Sequence, residues 1–550
     1  MSRAEQVVEG LIQGAQDLIA RNWAGHERTL LIELVRSLDH IAFAFRMAPN
    51  CVELSTRDVA RNYMLRGAAI ALRPLLTAVA GQAGGVPWGP ANARMIEVAD
   101  QYLLHCGYLA HLRRLVEMER YGLAKTTFVG NELLVIEVSR DTGEWSDKAM
   151  ETWLQSVKQQ GDDVDDLIAR KKQSRKRIDR QIGIDGGWFI RYGGDERSLA
   201  YHKALATVRA RGVPEAEALP AETLLGGRSF REWNEASISA QGRVLRHVAC
   251  ATRLAAVNRH LDLRNLLTVF VRRDDLASVW EEAGEDPEWI GRLISYMTLD
   301  AQSAMSLERE HEVPLPYYVD LGRDFVLLPA FGALLNPCAG LVWQLKKEFR
   351  MDWDSGVDGR EAVFRNELER AFPSSRFTIP PKGFQLRRTD GSPLTDVDAV
   401  IVDRQTGSLA LVQLKWHDIF GRSLRERNSR RLNLLKANQW VDRVATWVDG
   451  RSAGAVAEAL NVEAASMDRP PELLVVTRHA SRFTGTDSFD RRAAWLGWAE
   501  LAHKAALSGE ADLLSAVFRD HRGGGATESR PDRTPAAFQF RGLRIEVRTG

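Results

Sequence analysis

Apolar residues in the N-terminal part of the chain recur at the spacing of amphipathic helices. Between residues 26 and 47 they fall every three or four positions, which places them on one face of a helix. The residues on this face are Leu30, Leu31, Leu34, Val35, Leu38, Ile41 and Ala42. A Gly- and Pro-rich break follows at 81–90, and residues 95–121 return to a helical pattern. The pattern predicts a helical domain over residues 1–125.

Strand patterns then appear among the helices. Residues 128–136 fit a β-hairpin, and residues 317–319 and 325–328 fit two short strands around a turn. Longer helical patterns separate these strands. We therefore predict a mixed, mostly helical middle region over residues 126–350.

The clearest strand signal lies at residues 394–415. Two runs of β-branched and apolar residues flank the tetrad 404–407, Arg-Gln-Thr-Gly, which has the composition of a turn. This arrangement predicts a β-hairpin in the C-terminal part of the chain.

The register of this hairpin brings polar side chains together. If the residues next to the tetrad pair across a four-residue loop, Asp398 lies opposite Gln413 and Asp396 lies opposite Lys415. Because side chains on a strand alternate between the two faces of a sheet, these four share one face. On the opposite face we expect Val397, Ala399, Ile401, Val412 and Leu414.

Composition narrows the class of protein. The chain has 550 residues, of which 45% are apolar and 27% charged, as in ordinary globular proteins. The formal net charge is only +1, so a nucleic-acid surface would have to be a local patch. The four cysteines show no CxxC pair, and no P-loop, GxGxxG or HExxH motif occurs. With no signal peptide and no long apolar run, a cytoplasmic protein without membrane contact is expected.

The polar face of the hairpin has the chemistry of a magnesium site. Buried charge is costly without a partner, and a divalent cation is one such partner. Mg²⁺ prefers carboxylate and amide oxygens, which Asp398 and Gln413 offer. Lys415 is suited to orient a water or to stabilise charge on a phosphate. Together these groups predict phosphodiester hydrolysis with Mg²⁺ or Mn²⁺.

At these residues the chain resembles the PD-(D/E)xK nuclease superfamily, which has the restriction-endonuclease-like fold. Asp398 stands at the first Asp of the motif, and Gln413-Leu414-Lys415 stands at (Asp/Glu)-x-Lys. Gln413 departs from the pattern because it replaces an acid, as in the branch of methylation-dependent restriction enzymes. A second departure is that Pro393 is not adjacent to the first Asp. The resemblance spans about residues 355–480.

The resemblance implies further elements around the hairpin. A helix at 359–372 would carry an acid, for which Glu361 and Glu367 are both candidates. A helix at 433–447 follows the Lys strand and carries Gln439, and residues 473–476 fit a late core strand. We place Gln439 and Asp396 as second-tier site residues.

A local excess of positive charge follows Lys415. The residues that we expect to contact nucleic acid are Arg422, Arg425, Arg427, Arg430, Arg431 and Lys436. Phosphate contacts need such a patch in a chain that is otherwise neutral, and DNA is the favoured partner.

The sequence thus predicts a multidomain protein. It has a mainly α-helical N-terminal part, a C-terminal α/β restriction-endonuclease-like domain with a central mixed sheet at 351–515, and a flexible linker with a terminal strand at 516–550. The expected function is a Mg²⁺-dependent endonuclease, and the resemblance implies restriction or anti-phage defence. Two alternatives remain: an inert nuclease fold that binds nucleic acid, and a scaffold that binds protein partners through its helical part.

Overall fold

The structure is a computed structural model of the 550-residue chain. It describes residues 1–47, 56–139, 162–211, 213–308, 316–335, 337–417, 423–462, 469–479, 483, 487–507, 511–524, 536–540 and 542–549. The helices of these ranges are α1 (Arg3–Asn22), α2 (Glu27–Met47), α3 (Thr56–Arg66), α4 (Ala68–Val79), α5 (Ala93–Glu117), α6 (Asp162–Gln181), α7 (Glu196–Ala210), α8 (Phe230–Val257), α9 (Leu263–Leu267), α10 (Arg273–Glu281), α11 (Pro287–Met297), α12 (Ala301–Leu307), α13 (Phe331–Leu335), α14 (Ala339–Glu348), α15 (Arg350–Asp358), α16 (Arg360–Ala371), α17 (Leu424–Val448), α18 (Ala453–Ala459), α19 (Trp498–Leu507) and α20 (Leu513–His521).

The strands of the described ranges form three larger sheets and three two-stranded ribbons. They are β1 (Ala124–Val129), β2 (Leu133–Val138), β3 (Gly183–Asp185), β4 (Phe189–Arg191), β5 (Leu224–Leu225), β6 (Arg228–Ser229), β7 (Val269–Arg272), β8 (Thr298–Leu299), β9 (Tyr318–Asp320), β10 (Phe325–Leu328), β11 (Phe377–Thr378), β12 (Phe384–Arg387), β13 (Pro393–Val397), β14 (Ala399–Asp403), β15 (Leu409–Lys415), β16 (Glu472–Thr477), β17 (Ala494–Gly497), β18 (Ala536–Phe540) and β19 (Leu543–Thr549).

One hydrophobic core joins the N-terminal helices, the middle region and the C-terminal strands. Buried side chains from Ala4 to Trp353 belong to it, together with Phe540 and Ile545. Strand β19 pairs in parallel with β2, so the end of the chain completes the sheet that β1 begins. The two regions predicted before residue 350 therefore share one core. None of the helices in the described ranges combines the length and the apolar character that a membrane crossing needs.

The C-terminal domain is built on a mixed sheet, as the sequence predicted. In the described ranges its strand order is β11-β14-β15-β16-β17. The pairs β11–β14 and β14–β15 are antiparallel, whereas β15–β16 and β16–β17 are parallel. Strands β14 and β15 are buried almost throughout, because helices cover both faces of the sheet.

Each face of the sheet has its own apolar layer. On one face α17 and α18 pack through Leu434, Ala437, Trp440, Val441, Val444 and Val456. On the other face α16, α19 and α20 pack through Phe364, Leu368, Leu501, Leu514 and Val517. The helix predicted at 359–372 is α16, and the helix predicted at 433–447 is the longer α17.

The hairpin of β14 and β15 has the predicted register. Val402 pairs with Leu409, and the N–H of Asp403 donates to the carbonyl of Ser408 at 2.9 Å. Gly407 has φ +71°, which is the left-handed region that closes the four-residue turn. The turn tetrad fixed this pairing in the prediction, because a four-residue loop places Asp403 opposite Ser408.

The hairpin departs from a regular strand at Asp398. Strand β13 ends at Val397 and β14 begins at Ala399, so Asp398 lies between two strands. Val397 packs in the same apolar layer as Val400, and not on the opposite face as predicted. This interruption of the alternation lets the Asp398 side chain turn toward β15.

The described part of the C-terminal segment contains a helix and two strands. Helix α20 extends to His521 and packs against the sheet, so the linker predicted from residue 516 begins inside a helix. Residues 525–535 lie outside the described residues. The predicted terminal strand is present as the hairpin of β18 and β19.

Candidate active site

The candidate site lies at the end of β15, beside a cleft that Lys415 and Glu361 line; Asp398 and Gln413 are not among the lining residues. The cleft has a volume of ≈ 490 Å³. Its floor is the end of β15 and the two residues after it, and its walls come from α15, α16 and α17. The residues that line it are Arg350, Trp353, Asp354, Val357, Arg360, Glu361, Phe364, Leu414, Lys415, Trp416, His417, Glu426, Ser429, Arg430, Asn433 and Lys436.

Asp398 is held by β15. Its carboxylate accepts a hydrogen bond from the main-chain N–H of Leu414 at 2.7 Å and another from the side-chain amide of Gln413. Asp398 is only 6% exposed, and Gln413 is 7% exposed. The predicted meeting of Asp398 and Gln413 is therefore observed.

The protonation of Asp398 reflects its burial. Desolvation raises the pKa of Asp398 from 3.8 to about 6, although Lys415 and the hydrogen bond from Leu414 act in the opposite direction. Glu361 adds to the rise through like-charge repulsion. The carboxylate is thus ionised at neutral pH but retains an unmet demand for positive charge.

Lys415 shares the face of Gln413 at the end of β15. Burial lowers the pKa of Lys415, and the charges of Asp398 and Glu361 partly oppose this shift. Lys436 lowers the pKa further through repulsion. A lysine with a lowered pKa gives up its proton more readily than an ordinary lysine. It is therefore suited to proton transfer as well as to charge stabilisation.

The structure distinguishes between the two candidate helix acids. Glu361 lines the cleft and acts electrostatically on both Asp398 and Lys415. The guanidinium of Arg365 bonds the Glu361 carboxylate at 2.6 Å and the main-chain carbonyl of Asp398 at 2.5 Å. Arg365 therefore couples α16 to the position of Asp398.

Glu367 has a different role. Its carboxylate pairs with Arg478, which also bonds Glu217 at 3.2 Å. Arg478 in turn lies 4.7 Å from the ring centroid of Trp416. Glu367 is thus part of a structural ion-pair network and does not line the cleft.

The two second-tier residues lie outside the cleft. Asp396 is exposed and sits opposite Gln385 in the β12–β13 ribbon, so the predicted pairing of Asp396 with Lys415 is wrong. The cause is the break at Asp398, which ends the long hairpin. Gln439 is exposed on α17 and is not among the lining residues.

The six residues that were predicted to contact nucleic acid differ in where they lie relative to the cleft. Arg430 and Lys436 line the cleft, and Arg425 is exposed beside it on α17. Arg427 is 8% exposed, and Arg431 pairs with Asp487, so both serve the fold. Arg422 lies outside the described residues.

The sequence did not single out several lining residues. On α17 they are Glu426, Ser429 and Asn433. Glu426 and Asn433 lie four and three positions from Arg430, and Ser429 lies four positions from Asn433, a spacing that could have shown a shared face. On α15 they include Arg350 and Trp353, for which no local pattern exists because only the tertiary fold brings α15 to β15.

The donor set fits a hard divalent cation. Asp398 and Glu361 supply carboxylate oxygens and Gln413 supplies an amide, which are the ligand types that Mg²⁺ and Mn²⁺ accept. A bound cation would also offset the desolvation of the Asp398 carboxylate, which raises the pKa of that group. Within the described residues no group of three His, Cys, Asp or Glu side chains is arranged to hold a metal. The amide and water would complete the ligand shell.

Comparison of the chain with protein-family models, with curated proteins and with solved structures gave no match.

Proposed function

We propose that the protein is a metal-dependent nuclease that hydrolyses phosphodiester bonds in DNA. The observation that carries the proposal is that Asp398 and Gln413 meet beside the end of β15, where Lys415 and Glu361 line the cleft and act electrostatically on Asp398. Three separate segments of the C-terminal domain supply these groups, and each group has the chemistry that the reaction requires.

In this proposal the residues have distinct tasks. Asp398 and Gln413, with Glu361, would hold Mg²⁺, which when bound supplies charge for the phosphate and acidifies a water. Lys415 would orient the attacking water and stabilise charge that develops on the phosphate oxygens. Arg365 keeps Asp398 and Glu361 in place through its two hydrogen bonds.

The order of elements supports the resemblance to the PD-(D/E)xK superfamily. Helix α16 precedes the antiparallel strands β14 and β15, and α17 leads to β16, which is parallel to β15. The two helices pack on opposite faces of the sheet. This arrangement explains how an acid on α16 reaches the motif residues.

Charge around the cleft supports a polyanionic substrate. Five basic side chains line it (Arg350, Arg360, Lys415, Arg430 and Lys436) against three acidic ones (Asp354, Glu361 and Glu426), which leaves an excess of two positive charges. Cations at such positions bind phosphates without regard to sequence. A role in restriction or anti-phage defence follows from the resemblance alone.

One observation favours a second candidate, a nuclease fold that binds nucleic acid without cutting it. Gln413 already satisfies the carboxylate of Asp398 with a hydrogen bond, so the site tolerates the metal-free state. The neutral amide also brings one negative charge fewer than the usual acid of the motif.

The decisive experiment is a cleavage assay with plasmid DNA, single-stranded DNA and RNA in Mg²⁺, Mn²⁺ or EDTA. We expect the wild type to cut DNA with either metal and to be inactive in EDTA. Lys415→Ala should lose roughly 100-fold or more in rate. Lys382→Ala, which changes an exposed lysine outside the cleft, is the matched control and should cut normally. Absence of cleavage together with intact DNA binding would favour the inert alternative.

A further inference from the structure

Helix α6 carries a run of basic side chains that the candidate site does not use. From Leu167 to Arg180 seven Lys and Arg residues stand against one acid, Asp179. Because the formal net charge of the whole chain is only +1, this concentration of positive charge is local. None of these residues lines the cleft, so α6 presents a separate charged surface.

The basic side chains lie on the solvent side of α6. The side that faces the protein is marked by Leu167, Ser174 and Ile178, which are all buried. The exposed basic residues, which we call the basic face of α6, are Lys171, Lys172, Arg175, Lys176 and Arg180. They form two neighbouring rows along the helix, one at positions 171 and 175 and one at positions 172, 176 and 180, each with a spacing of four residues.

The acids of α6 do not neutralise the basic face. Asp163 pairs with Arg211 and Asp179 pairs with Arg253, and both of these arginines belong to other segments. In the part of the chain that the structure describes, the five side chains of the basic face make no ion pair, hydrogen bond or ring contact. Like charges four residues apart repel and destabilise a helix. The basic face therefore carries repulsion that an external polyanion would relieve.

Helix α8 separates the basic face from the cleft. Near its start, the ring of Trp233 lies 6.3 Å from that of Phe349, which precedes the lining residue Arg350. Near its end, Arg253 pairs with Asp179 of α6. Positions 233 and 253 are 20 residues apart, which is about 30 Å at a rise of about 1.5 Å per residue. One turn of B-DNA spans a similar length, about 34–36 Å.

We infer that the basic face of α6 binds the phosphate backbone of DNA and holds it at a second place on the protein. Charge complementarity carries the choice of a polyanion, and the choice of DNA among polyanions rests on the proposed nuclease function. From Lys171 to Arg180 the face extends about 14 Å along the helix, a length over which a duplex presents about eight phosphate charges. Contacts to phosphates do not read bases, so this binding is independent of sequence.

The test is a triple variant of the basic face, Lys172→Gln with Arg175→Gln and Lys176→Gln. Glutamine is a good helix former and the three side chains hold no ion pair within the described residues, so the Tm should not change. Fluorescence anisotropy in EDTA measures binding of a labelled duplex of about 30 base pairs, roughly three helical turns. The Kd should rise at least tenfold at about 100 mM KCl. The slope of log Kd against log salt concentration should fall by about 2–3, because each lost phosphate contact removes about 0.9.

A charge-matched variant is the control. It removes three exposed cations from other elements, through Arg94→Gln on α5, Lys125→Gln on β1 and Arg323→Gln between β9 and β10. Its Kd should stay within about twofold of the wild-type value. An unchanged Kd in the α6 variant, or an equal rise in the control, would overturn the inference. A loss of affinity for RNA of the same sequence without a loss for DNA would also overturn it.

Cleavage in Mg²⁺ separates this inference from the nuclease proposal. In a Lys415→Ala background the α6 substitutions should weaken binding by the same factor as in the wild type, because distant sites act independently. A wild type that binds DNA through α6 but cuts none in Mg²⁺ or Mn²⁺ would contradict the nuclease proposal and leave this inference intact. Normal cleavage together with undiminished binding by the α6 variant would contradict this inference alone.

Discussion

The side-chain amide of Gln413 donates a hydrogen bond to the carboxylate of Asp398. Two residues that are 15 positions apart in the chain thereby meet at the end of the central strands. The contact pairs a buried acid with a neutral donor, where the related motif places a second acid. We expect this difference to affect both the stability of the site and its affinity for a metal.

Asp398→Asn should stabilise the protein at pH 8. The pKa of Asp398 is raised from 3.8 to about 6, so between these values the folded state binds more protons than the unfolded state. Stability is then gained as pH falls through about 6, and the ionised group destabilises the fold above it. The cost is on the order of 2–3 kcal/mol, at about 1.36 kcal/mol per pKa unit.

Asparagine keeps an acceptor for Leu414 and removes that cost. Thermal unfolding without metal should show a higher Tm for the variant at pH 8 and a difference that shrinks by pH 4. A lower Tm at pH 8 would mean that the carboxylate is not destabilising. If Asp398 is a metal ligand as proposed, the same variant should lose cleavage.

Cleavage by the wild type should fall as pH decreases through about 6. Protons compete with the metal for Asp398, whose pKa is about 6 in the metal-free protein. Raising the concentration of Mg²⁺ should therefore move the acidic limb of the rate profile to lower pH. Initial rates at several Mg²⁺ concentrations measure this, and a limb that does not move would exclude competition at Asp398.

Gln413→Glu should destabilise the metal-free protein and make it more responsive to Mg²⁺. The substitution replaces the donor to Asp398 by a second carboxylate, with an expected cost of about 1–3 kcal/mol. If the proposed metal site exists, Mg²⁺ should restore the Tm, because its charge would offset the repulsion between the two carboxylates. The control is Gln439→Glu at an exposed position of α17, which should change neither the Tm nor its dependence on Mg²⁺.

Glu361→Gln and Glu367→Gln should separate function from stability. Glu361 is 57% exposed and lines the cleft, so its variant should keep the wild-type Tm and lose roughly 10- to 100-fold in cleavage rate. Glu367 pairs with Arg478, so its variant should have a lower Tm and retain cleavage at a temperature where it is folded. The reverse pattern would assign the helix acid to Glu367.

Asp403→Ala should be strongly destabilising. Asp403 has no exposed side chain, and Arg376 donates to its two oxygens at 3.1 and 2.6 Å. Burial alone would raise the pKa of Asp403, but the bonds from Arg376 and from the N–H of Gln405 outweigh it and lower the pKa. Breaking such a buried pair costs about 3–5 kcal/mol.

Denaturant unfolding measures this cost. Asp274→Ala is the control, because the Asp274 side chain is 89% exposed and its ion pair with Arg272, at 3.8 Å, is long and contributes little to stability. Since the folded pKa of Asp403 is lowered, its contribution is present at neutral pH and is lost as pH falls below the ordinary aspartate value. A loss below 1 kcal/mol would show that the pair is not needed to hold the hairpin.

The sequence by itself determined four features of the C-terminal domain: the hairpin with its register, the helices α16 and α17, and the strand β16. The turn at 404–407 set the register, because the residues that flank it, Asp403 and Ser408, pair across a four-residue loop. For the same reason the meeting of Asp398 with Gln413 was predictable, and so was the position of Lys415 on the face of Gln413.

Only the tertiary structure decided which other groups join them. Because the strand is interrupted at Asp398, Asp396 pairs with Gln385 and lies away from the site. The orientation of α16 places Glu361 in the cleft, and this orientation depends on contacts with residues that are distant in sequence, such as Arg478. The wall formed by α15 has no local signature. It arises from a core that extends through the N-terminal part of the chain and from ion pairs between distant segments, and local patterns contain neither kind of information.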